Sequence, residues 1–279
     1  MNKKIALITG STRGIGRALA MGMARSGYSV IVNGTVRETV ESVVQLIRQK
    51  GGEAAGIPCD ICNPEAVQNM VDSVVRRFGR LDVLINNAGI VRDRMSYKMS
   101  IQEWHDVINV HLNGSFYCIQ ASLPYMKESG GSIINVVSSA GIEGCIGQAN
   151  YAAAKAGLIG LTYTLAQELI RFGIRVNAVA PAALTDMTRP HVEKAQRQAK
   201  DRGEDIPDYW KIGNPEDLLP LLLYLSEPPE DVTGRLFSMN GSTWSIWNKP
   251  QIDRFYSKPN AGTWSAAEIA RQVAELDRK

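Results

Sequence analysis

Near the start of the chain a short apolar run leads directly into a glycine-rich turn, Ile5-Ala6-Leu7-Ile8-Thr9-Gly10-Ser11-Thr12-Arg13-Gly14-Ile15-Gly16. The residues that follow, Arg17-Ala18-Leu19-Ala20, favour a helix. Glycines at 10, 14 and 16 let backbone N–H groups approach a phosphate, and the start of the next helix adds positive potential. Because the turn follows a strand pattern and opens a helix pattern, it predicts a dinucleotide-binding site.

The rest of the chain repeats this alternation. Short runs rich in Val, Ile and Leu predict strands over 5–9, 29–33, 54–59, 81–86, 132–138, 174–180 and 236–239. Amphipathic patterns predict helices over 14–26, 38–50, 64–78, 101–127, 151–172 and 215–226. Fully apolar strands alternating with helices predict an α/β fold, a doubly wound parallel sheet of about seven strands with helices on both faces (a Rossmann fold). Ligands of such a sheet bind beyond the carboxyl ends of its strands.

Composition sets limits on partners and compartment. The 279 residues carry 31 basic and 28 acidic side chains, so a net charge of +3 gives no reason to expect nucleic acid. The apolar run at 5–8 is too short for a signal peptide, and the uncharged stretch 107–126 contains too many polar residues for a membrane span. We therefore expect a cytoplasmic protein with four reduced cysteines, no bound metal and no membrane partner.

Two segments fall outside the repeat. The segment 187–212 is dense in charges of both signs. The tail 244–279 begins with five large aromatic residues, and Ser265 then stands three before Glu268, which is the signature of a capping box. Apolar residues follow at helical spacing, namely Ile269, Val273 and Leu276. We expect one dinucleotide-binding and catalytic domain over 1–243 and an aromatic arm with a final helix over 244–279.

The end of the second strand bears on the choice of cofactor. An NAD enzyme usually has a carboxylate there for the ribose 2′-hydroxyl, whereas an NADP enzyme has cations for the 2′-phosphate. Here the strand ends Asn33-Gly34-Thr35-Val36-Arg37. Arg13 and Arg37 are therefore candidate phosphate ligands, and Thr35 is a candidate hydrogen-bond donor. This favours NADP over NAD, although Glu38 and Glu41 lie nearby and Arg37 could equally be a solvated residue at a helix start.

Three residues suggest a catalytic group. Tyr151 and Lys155 are four apart at the start of a helix and so share one face. Ser138 ends the preceding strand, which brings a hydroxyl, a phenol and an ammonium to one pocket. A phenol ordinarily has a pKa near 10, and a nearby cation favours its ionised form. The tyrosine can then exchange a proton with a carbonyl oxygen while a hydride moves to or from the carbon.

With these residues the sequence resembles the short-chain dehydrogenase/reductase family over about residues 3–241. The matching positions are the turn 9–16, Asp60, Asn86-Asn87-Ala88-Gly89, Ser138, Tyr151-Ala152-Ala153-Ala154-Lys155, Asn177, Pro181 and Thr185. The resemblance implies that Ser138, Tyr151 and Lys155 are catalytic. Together with Arg13 in the glycine-rich turn, and Thr35 and Arg37 at the end of the second strand, it gives a set of candidate cofactor contacts: Gly10, Thr12, Arg13, Gly14, Ile15, Gly16, Thr35, Arg37, Asp60, Ile61, Asn86, Asn87, Ala88, Gly89, Tyr151, Lys155, Pro181 and Thr185.

Two positions depart from the family pattern. The family commonly has Asn where Val110-His111-Leu112 places His111, and that Asn anchors a water of the proton relay. A histidine can hold a water too, so His111 is a candidate catalytic residue, with a buried structural histidine as an equal alternative. The usual Pro-Gly after the sixth strand is here Pro181-Ala182, which should alter that loop only slightly.

Two groups within the family are most similar. The stretch 147–158 resembles β-ketoacyl-ACP reductases, whereas Arg92-Asp93-Arg94 and the stretch 110–116 resemble the (3R)-hydroxyacyl-CoA dehydrogenase part of multifunctional enzymes. Ser129 and Phe172 stand where the ACP reductases look basic, which weakens the case for an acidic carrier protein.

These resemblances leave several functions open. The main expectation is hydride transfer between NADP(H) and a secondary alcohol or ketone, with 3-hydroxyacyl or 3-oxoacyl thioesters as candidates. Alternatives are a steroid, terpenoid or aryl-alcohol dehydrogenase and a non-enzymatic NADP(H) sensor or inactive subunit. The family implies that 187–212 forms a substrate lid, whose cations could meet CoA phosphates or form a solvated face. It also implies a homo-oligomer, a tetramer.

Overall fold

The computed structural model describes residues 3–207, 210–258 and 262–274. Its central strand, β1 (Ile5–Ile8), has four buried residues that alternate between two hydrophobic cores. Ala6 and Ile8 belong to the core on one face, and Ile5 and Leu7 belong to the core on the other. A strand that is apolar on both faces is stable only with helices above and below it, as in a parallel sheet.

Within the described residues, eight strands form one sheet in the order β3-β2-β1-β4-β5-β6-β7-β8. The strands after β1 are β2 (Ser29–Gly34), β3 (Glu53–Pro58), β4 (Val83–Asn86), β5 (Gly131–Val136), β6 (Ile174–Ala182), β7 (Leu236–Asn240) and β8 (Thr243–Trp247). Neighbours from β3 through β7 pair in parallel. The predicted doubly wound parallel sheet is therefore confirmed. The strand order reverses between β1 and β4, and such a reversal is where doubly wound sheets bind ligands.

Helices cover both faces of this sheet. They are α1 (Gly14–Arg25), α2 (Arg37–Gln49), α3 (Pro64–Phe78), α4 (Ile101–Ile108), α5 (Gly114–Ser129), α6 (Ala140–Glu143), α7 (Ala149–Leu169), α8 (Arg189–Arg202), α9 (Leu219–Ser226) and α10 (Ala266–Ala274). The buried residues of α1, α2 and α9 form one core with the sheet, and those of α3, α5 and α7 form the other. No helix of the described residues has the length and hydropathy needed to cross a membrane.

The eighth strand was not expected from the sequence. Residues from Trp244 onward were predicted as an extended aromatic arm, but Thr243–Trp247 form β8 and pair antiparallel with β7. Asn240 pairs with Thr243, so only two residues connect the strands, as in a tight hairpin. Trp247 packs against the core beneath β6 and β7, while Trp244 stays exposed. The hairpin therefore extends the sheet by one strand beyond the predicted seven.

The predicted single helix over 101–127 is interrupted. A π-helical turn, Asn109–Asn113, separates α4 from α5. The turn contains His111, which is 2% exposed. A π turn adds a residue to one helical turn without breaking the helix, so it leaves little trace in hydrophobic periodicity, and such turns often occur at functional sites.

The chain divides into two compact units, Met1–Trp247 and Asn248–Lys279. The predicted boundary lay four residues earlier, after residue 243. In the second unit, α10 begins with the capping box that the sequence predicts. The backbone N–H of Glu268 donates to the hydroxyl of Ser265 over 3.3 Å, and the Glu268 carboxylate accepts from the Ser265 N–H over 2.8 Å. Leu276 of the predicted helix lies outside the described residues.

Candidate active site

The turn between β1 and α1 has no room for a side chain at Gly10 or Gly16. Gly10 has a φ of +61°, and a Cβ atom there would lie 2.6 Å from the Cα atom of Ala88. A Cβ at Gly16 would lie 2.4 Å from the Nδ2 atom of Asn87. The helix α1 begins at Gly14 with no acidic residue in its first turn. A helix start without acidic side chains, reached through closely packed glycines, fits a diphosphate, so the residues present suit a bound dinucleotide.

Asn87 connects this turn to the loop after β4. Its Nδ2 atom donates to the carbonyl oxygens of Thr9 and Gly10 over 2.9 and 3.1 Å. The backbone N–H groups of Asn87 and Ala88 donate to the Thr9 hydroxyl over 3.0 and 3.1 Å. The predicted run from Asn86 to Gly89 therefore lies directly against the glycine-rich turn.

The end of β2 lies beside the same turn. A Cβ on Gly34 would be 2.6 Å from the Cγ2 atom of Thr12, and both Thr35 and Arg37 are exposed just beyond it. Arg13 is exposed at the start of α1. Arg37 forms an ion pair of 3.6 Å with Glu41, one helical turn away. The candidate phosphate ligands thus reach solvent at one edge of the turn.

Asn33 is a connecting residue that the sequence reasoning did not single out. Its buried side chain accepts from the N–H of Gly10 over 3.3 Å and donates to the carbonyl oxygens of Ile57 and Cys59 over 3.2 and 3.1 Å. One amide thereby connects the ends of three strands. The sequence offered one signal for this role, a polar Asn near the end of a largely apolar strand.

The predicted contacts after β3 lie at the same edge of the sheet. Asp60 is exposed, and its Oδ1 atom accepts from the N–H of Cys62 over 2.9 Å. Ile61 is buried against α5, where a Cβ on Gly114 would lie 2.7 Å from its Cδ1 atom. Asp60 thus has an accessible carboxylate, whereas the Ile61 side chain belongs to the core and leaves only its backbone for a ligand.

The segment after β6 reaches the glycine-rich turn from the other side. A Cβ on Gly14 would lie 3.4 Å from the Cγ2 atom of Thr185. The N–H of Thr185 donates to the hydroxyl of Thr188 over 2.8 Å, just before α8. Pro181 pairs with Met239 near the end of β6. The structure therefore brings Thr185 next to a turn that is far from it in sequence.

Lys155 is the most deeply buried of the predicted catalytic residues. It is 3% exposed, and its Nζ atom donates to the carbonyl oxygen of Val136 over 2.5 Å. The same Nζ atom lies 5.7 Å from the centre of the Tyr151 ring. Burial lowers the pKa of Lys155 to about 7. The amine therefore lies between the end of β5 and the phenol ring.

Ser138 stands two residues beyond Val136 and is partly exposed. Its hydroxyl accepts from the N–H of Ala140 over 3.2 Å. The short helix α6 that follows packs closely on α7, since a Cβ on Gly141 would lie 2.8 Å from the Cβ of Lys155. Ser138 and the Tyr151–Lys155 pair are therefore held by two helices in direct contact.

His111 packs against Tyr151 and binds the loop after β4. The two rings meet edge to face, with centroids 5.0 Å apart and planes at 87°. The Nε2 atom of His111 lies 2.7 Å from the carbonyl oxygen of Ile90 and 3.1 Å from its nitrogen. The Nδ1 atom is buried and has no partner among the described residues. Burial, with the nearby Lys155 charge, lowers the pKa of His111 to about 3, so its imidazole is neutral.

A second buried network was missed by the sequence reasoning. Asn86 donates to Asn135 over 2.9 Å, Asn135 donates to the Thr162 hydroxyl over 2.9 Å, and that hydroxyl donates to the carbonyl oxygen of Leu158 over 2.8 Å. The Asn86 side chain is thus directed into this network, and its buried Oδ1 atom has no hydrogen-bond partner in the part of the chain that the structure describes. The network connects β4 and β5 to the helix that carries Tyr151.

A dinucleotide-type glycine turn beside a hydroxyl, a phenol and a buried amine defines the site of a nicotinamide-dependent oxidoreductase. The chain belongs to the short chain dehydrogenase family, whose model matches residues 4–196. This confirms the predicted family and the prediction of an enzyme.

Curated relatives agree over most of the chain. It is 42% identical over 248 residues to the 3-oxoacyl-[acyl-carrier-protein] reductase FabG of Staphylococcus epidermidis, covering 88% of this chain and 100% of that protein. The protein of the same name from Thermotoga maritima is 41% identical over 241 residues, covering 85% of this chain and 96% of the relative. This chain thus carries residues that these relatives lack.

Solved structures show the same fold. A short chain dehydrogenase from Mycobacterium avium matches with a TM-score of 0.82 and 34% identity, covering 99% of this chain and 95% of that one. A short-chain type dehydrogenase/reductase from Mycobacterium marinum matches with a TM-score of 0.76 and 30% identity, covering 85% and 94%. The first match therefore extends over nearly the whole chain.

Proposed function

We propose that the chain reduces a 3-oxoacyl thioester to the 3-hydroxyacyl thioester with NADPH, and catalyses the reverse reaction with NADP. The observation that carries this proposal is the buried Lys155 amine, held between Val136 and the Tyr151 ring at the edge of the sheet where the glycine-rich turn lies. The match extends over nearly the full length of the two 3-oxoacyl-[acyl-carrier-protein] reductases, which supports a 3-oxoacyl thioester as the substrate.

A bound nicotinamide cofactor would supply or accept the hydride. In the reductive direction, the Tyr151 hydroxyl gives its proton to the ketone oxygen, and the Ser138 hydroxyl holds that oxygen by a hydrogen bond. Lys155 in its charged form stabilises the phenolate that Tyr151 becomes. His111 stays neutral and acts as a positioning residue, because it holds both the Tyr151 ring and the Ile90 backbone.

The preference for NADPH rests on charge at the edge of the glycine-rich turn. Arg13 and Arg37 are exposed there, and the β2 end has Asn33, Gly34 and Thr35 in place of a carboxylate. Guanidinium groups bind phosphate through paired hydrogen bonds. The residues favour a cofactor with a 2′-phosphate, although the Glu41 carboxylate competes for Arg37.

We propose CoA as the acyl carrier, because Ser129 and Phe172 stand where the ACP reductases look basic. Lys127 and Arg171 do lie 5.0 and 4.7 Å from the ring centre of Phe172. This cluster precedes β6, so it lies toward the amino ends of the strands, away from the Tyr151 edge. Within one chain it therefore adds no positive charge near the catalytic residues.

A second candidate is oxidation of a cyclic or aryl secondary alcohol, as in a steroid, terpenoid or aryl-alcohol dehydrogenase. Its basis is that the reductases match 85–88% of this chain, whereas the M. avium short chain dehydrogenase matches 99% of it. An additional C-terminal unit is consistent with a different substrate. From its resemblance to the family, we also propose that the protein is a homotetramer in the cytoplasm.

The experiment compares NADPH and NADH binding, followed by turnover with acetoacetyl-CoA and with a panel of cyclic and aryl ketones. NADPH-dependent reduction of acetoacetyl-CoA is expected, and Tyr151→Phe should lose turnover by at least about a thousandfold while keeping cofactor affinity. Turnover of cyclic ketones alone would favour the second candidate. Tight NADPH binding without turnover on either class would favour the non-enzymatic alternative, and full activity of Tyr151→Phe would refute the catalytic assignment.

A further inference from the structure

Three crossover segments meet at one exposed carboxylate. Asp93 lies in the loop after β4, Gln148 lies before α7 in the segment after β5, and His191 lies in the first turn of α8 after β6. The carboxyl ends of β4, β5 and β6 are neighbours in the sheet, so these segments surround the edge that carries Tyr151. We call Asp93, Gln148 and His191 the Asp93 clasp.

One side of the clasp is fixed. The Nε2 atom of Gln148 donates to both carboxylate oxygens of Asp93, over 3.0 and 3.1 Å. The neighbouring backbone is joined as well, because the N–H of Arg94 donates to the carbonyl oxygen of Gly147 over 2.7 Å. The buried Asn150 amide donates to the carbonyl oxygen of Arg92 over 3.2 Å. Asp93 is therefore held firmly to the residues that start the catalytic helix α7.

The other side of the clasp is weak. The Nε2 atom of His191 lies 3.7 Å from the Oδ2 atom of Asp93, and their side chains are 48% and 32% exposed. The His191 ring also stacks on Trp210, with centroids 6.0 Å apart and planes at 6°. A contact of this kind between exposed side chains, which is an ion pair only when His191 is protonated, shifts equilibria by about two- to fivefold. Such a contact can open and close without unfolding α8, whose Val192, Ala195 and Ala199 remain buried.

We propose that Asp93 is a positioning residue, and that the contact of its carboxylate with His191 holds the start of α8 closed against the catalytic helix while substrate is bound. Gln148 keeps the carboxylate on the α7 side, so the His191 contact is the one that breaks when substrate and product exchange. The importance of the clasp for turnover rests on the proposed reductase function. The existence of the closing contact does not.

The test measures backbone hydrogen–deuterium exchange in α8, which requires no turnover, so failure of the clasp and failure of the proposed function are distinguishable. His191→Ala and Asp93→Ala should each accelerate exchange across 189–202 by about two- to fivefold, and the double variant should accelerate it no further. Gln148→Ala should produce a smaller increase, since Asp93 then loses its anchor. His105→Ala, which removes an exposed histidine from α4, is the matched control and should leave α8 unchanged.

Turnover adds a readout that a purely structural role would not move. His191→Ala and Asp93→Asn should raise KM for the ketone substrate by about two- to fivefold without lowering kcat, because a lid that opens more often releases substrate faster. Unchanged exchange in both single variants, or single effects that add in the double variant, would overturn the proposal. A fall in kcat at constant KM would overturn it as well.

Discussion

Lys155 donates a hydrogen bond from its buried Nζ atom to the carbonyl oxygen of Val136, the last residue of β5. This bond fixes the amine 5.7 Å from the centre of the Tyr151 ring, where the proposed mechanism uses its charge. Burial of the amine reduces the stability of the folded protein at neutral pH, because it lowers the pKa of Lys155 to about 7 from its ordinary value near 10.5. The folded protein therefore binds fewer protons than the unfolded chain between these two values.

The first prediction concerns stability against pH. Because the unfolded state binds the additional proton, Lys155 should make the free energy of unfolding rise from about pH 7 to about pH 10.5, by roughly 2–4 kcal/mol. Lys155→Met should remove this rise and should make the protein without cofactor more stable at pH 7. Urea unfolding of both proteins at several pH values measures the difference. If the free energy of unfolding changed with pH equally in both proteins, burial of Lys155 would not be the cause of the rise.

The second prediction concerns His111. Burial lowers its pKa to about 3. As the pH falls through the ordinary histidine range, the imidazole therefore becomes protonated in the unfolded chain and stays neutral in the folded protein. This residue should therefore cost about 2 kcal/mol of stability between pH 7 and pH 5. His111→Asn should show a smaller loss over the same interval. Urea midpoints at the two pH values measure the effect, and an equal loss in both proteins would argue against a neutral imidazole.

His111 can also be tested as a positioning residue. His111→Leu removes the Nε2 atom that bonds the Ile90 backbone, which should destabilise the protein by about 1–3 kcal/mol. His111→Asn can bond the same backbone groups and should retain most activity. If the neutral imidazole only positions Tyr151, the pH dependence of kcat should be the same in His111→Asn as in the wild type. A missing ionisation in that variant would instead indicate a proton-transfer role.

Features formed by residues close together in the chain were predictable from the sequence, whereas contacts between distant residues were not. Strand and helix alternation, the glycine-rich turn and the spacing of Tyr151 and Lys155 are local patterns, and they correctly indicated the fold and family. The buried Asn135 was not predicted, because its bonds to Asn86 and Thr162 join residues that are far apart in the chain. The π turn around His111 was missed because helical periodicity continues through it. A tertiary contact leaves no periodic signal in the sequence, so such features become visible only in the folded structure.

The third prediction concerns the 2′-phosphate. Arg13→Ala and Arg37→Ala should each weaken NADPH binding by about ten- to a hundredfold and leave NADH binding unchanged, since a charged hydrogen bond contributes about 1.5–3 kcal/mol. Arg17→Ala removes an exposed arginine from the same helix α1 and serves as the control. Glu41→Gln offers a gain of function, because it releases Arg37 from its 3.6 Å ion pair and should tighten NADPH binding. Calorimetric titration with both cofactors distinguishes these outcomes, and equal losses for NADPH and NADH would show that the arginines do not meet the phosphate.

The fourth prediction compares two glycine-to-alanine substitutions in helices. At Gly16 the new Cβ would lie 2.4 Å from both the Asn87 Nδ2 atom and the Gly10 carbonyl oxygen, so the turn must move. Gly16→Ala should therefore destabilise the protein by about 1–3 kcal/mol and weaken cofactor binding. At Gly160 on the exposed side of α7, no atom lies within 4 Å of the new Cβ.

Gly160→Ala should stabilise the protein by about 0.5–1 kcal/mol, because alanine loses less backbone freedom on folding than glycine. Thermal unfolding with and without NADPH measures both substitutions on the same scale. The stabilisation that NADPH gives should shrink in Gly16→Ala and should persist in Gly160→Ala, since only the first substitution disturbs the turn that would hold the diphosphate. An unaltered NADPH response in Gly16→Ala would mean that the turn does not hold the cofactor, and the close approach of Gly16 to Asn87 would then be packing alone.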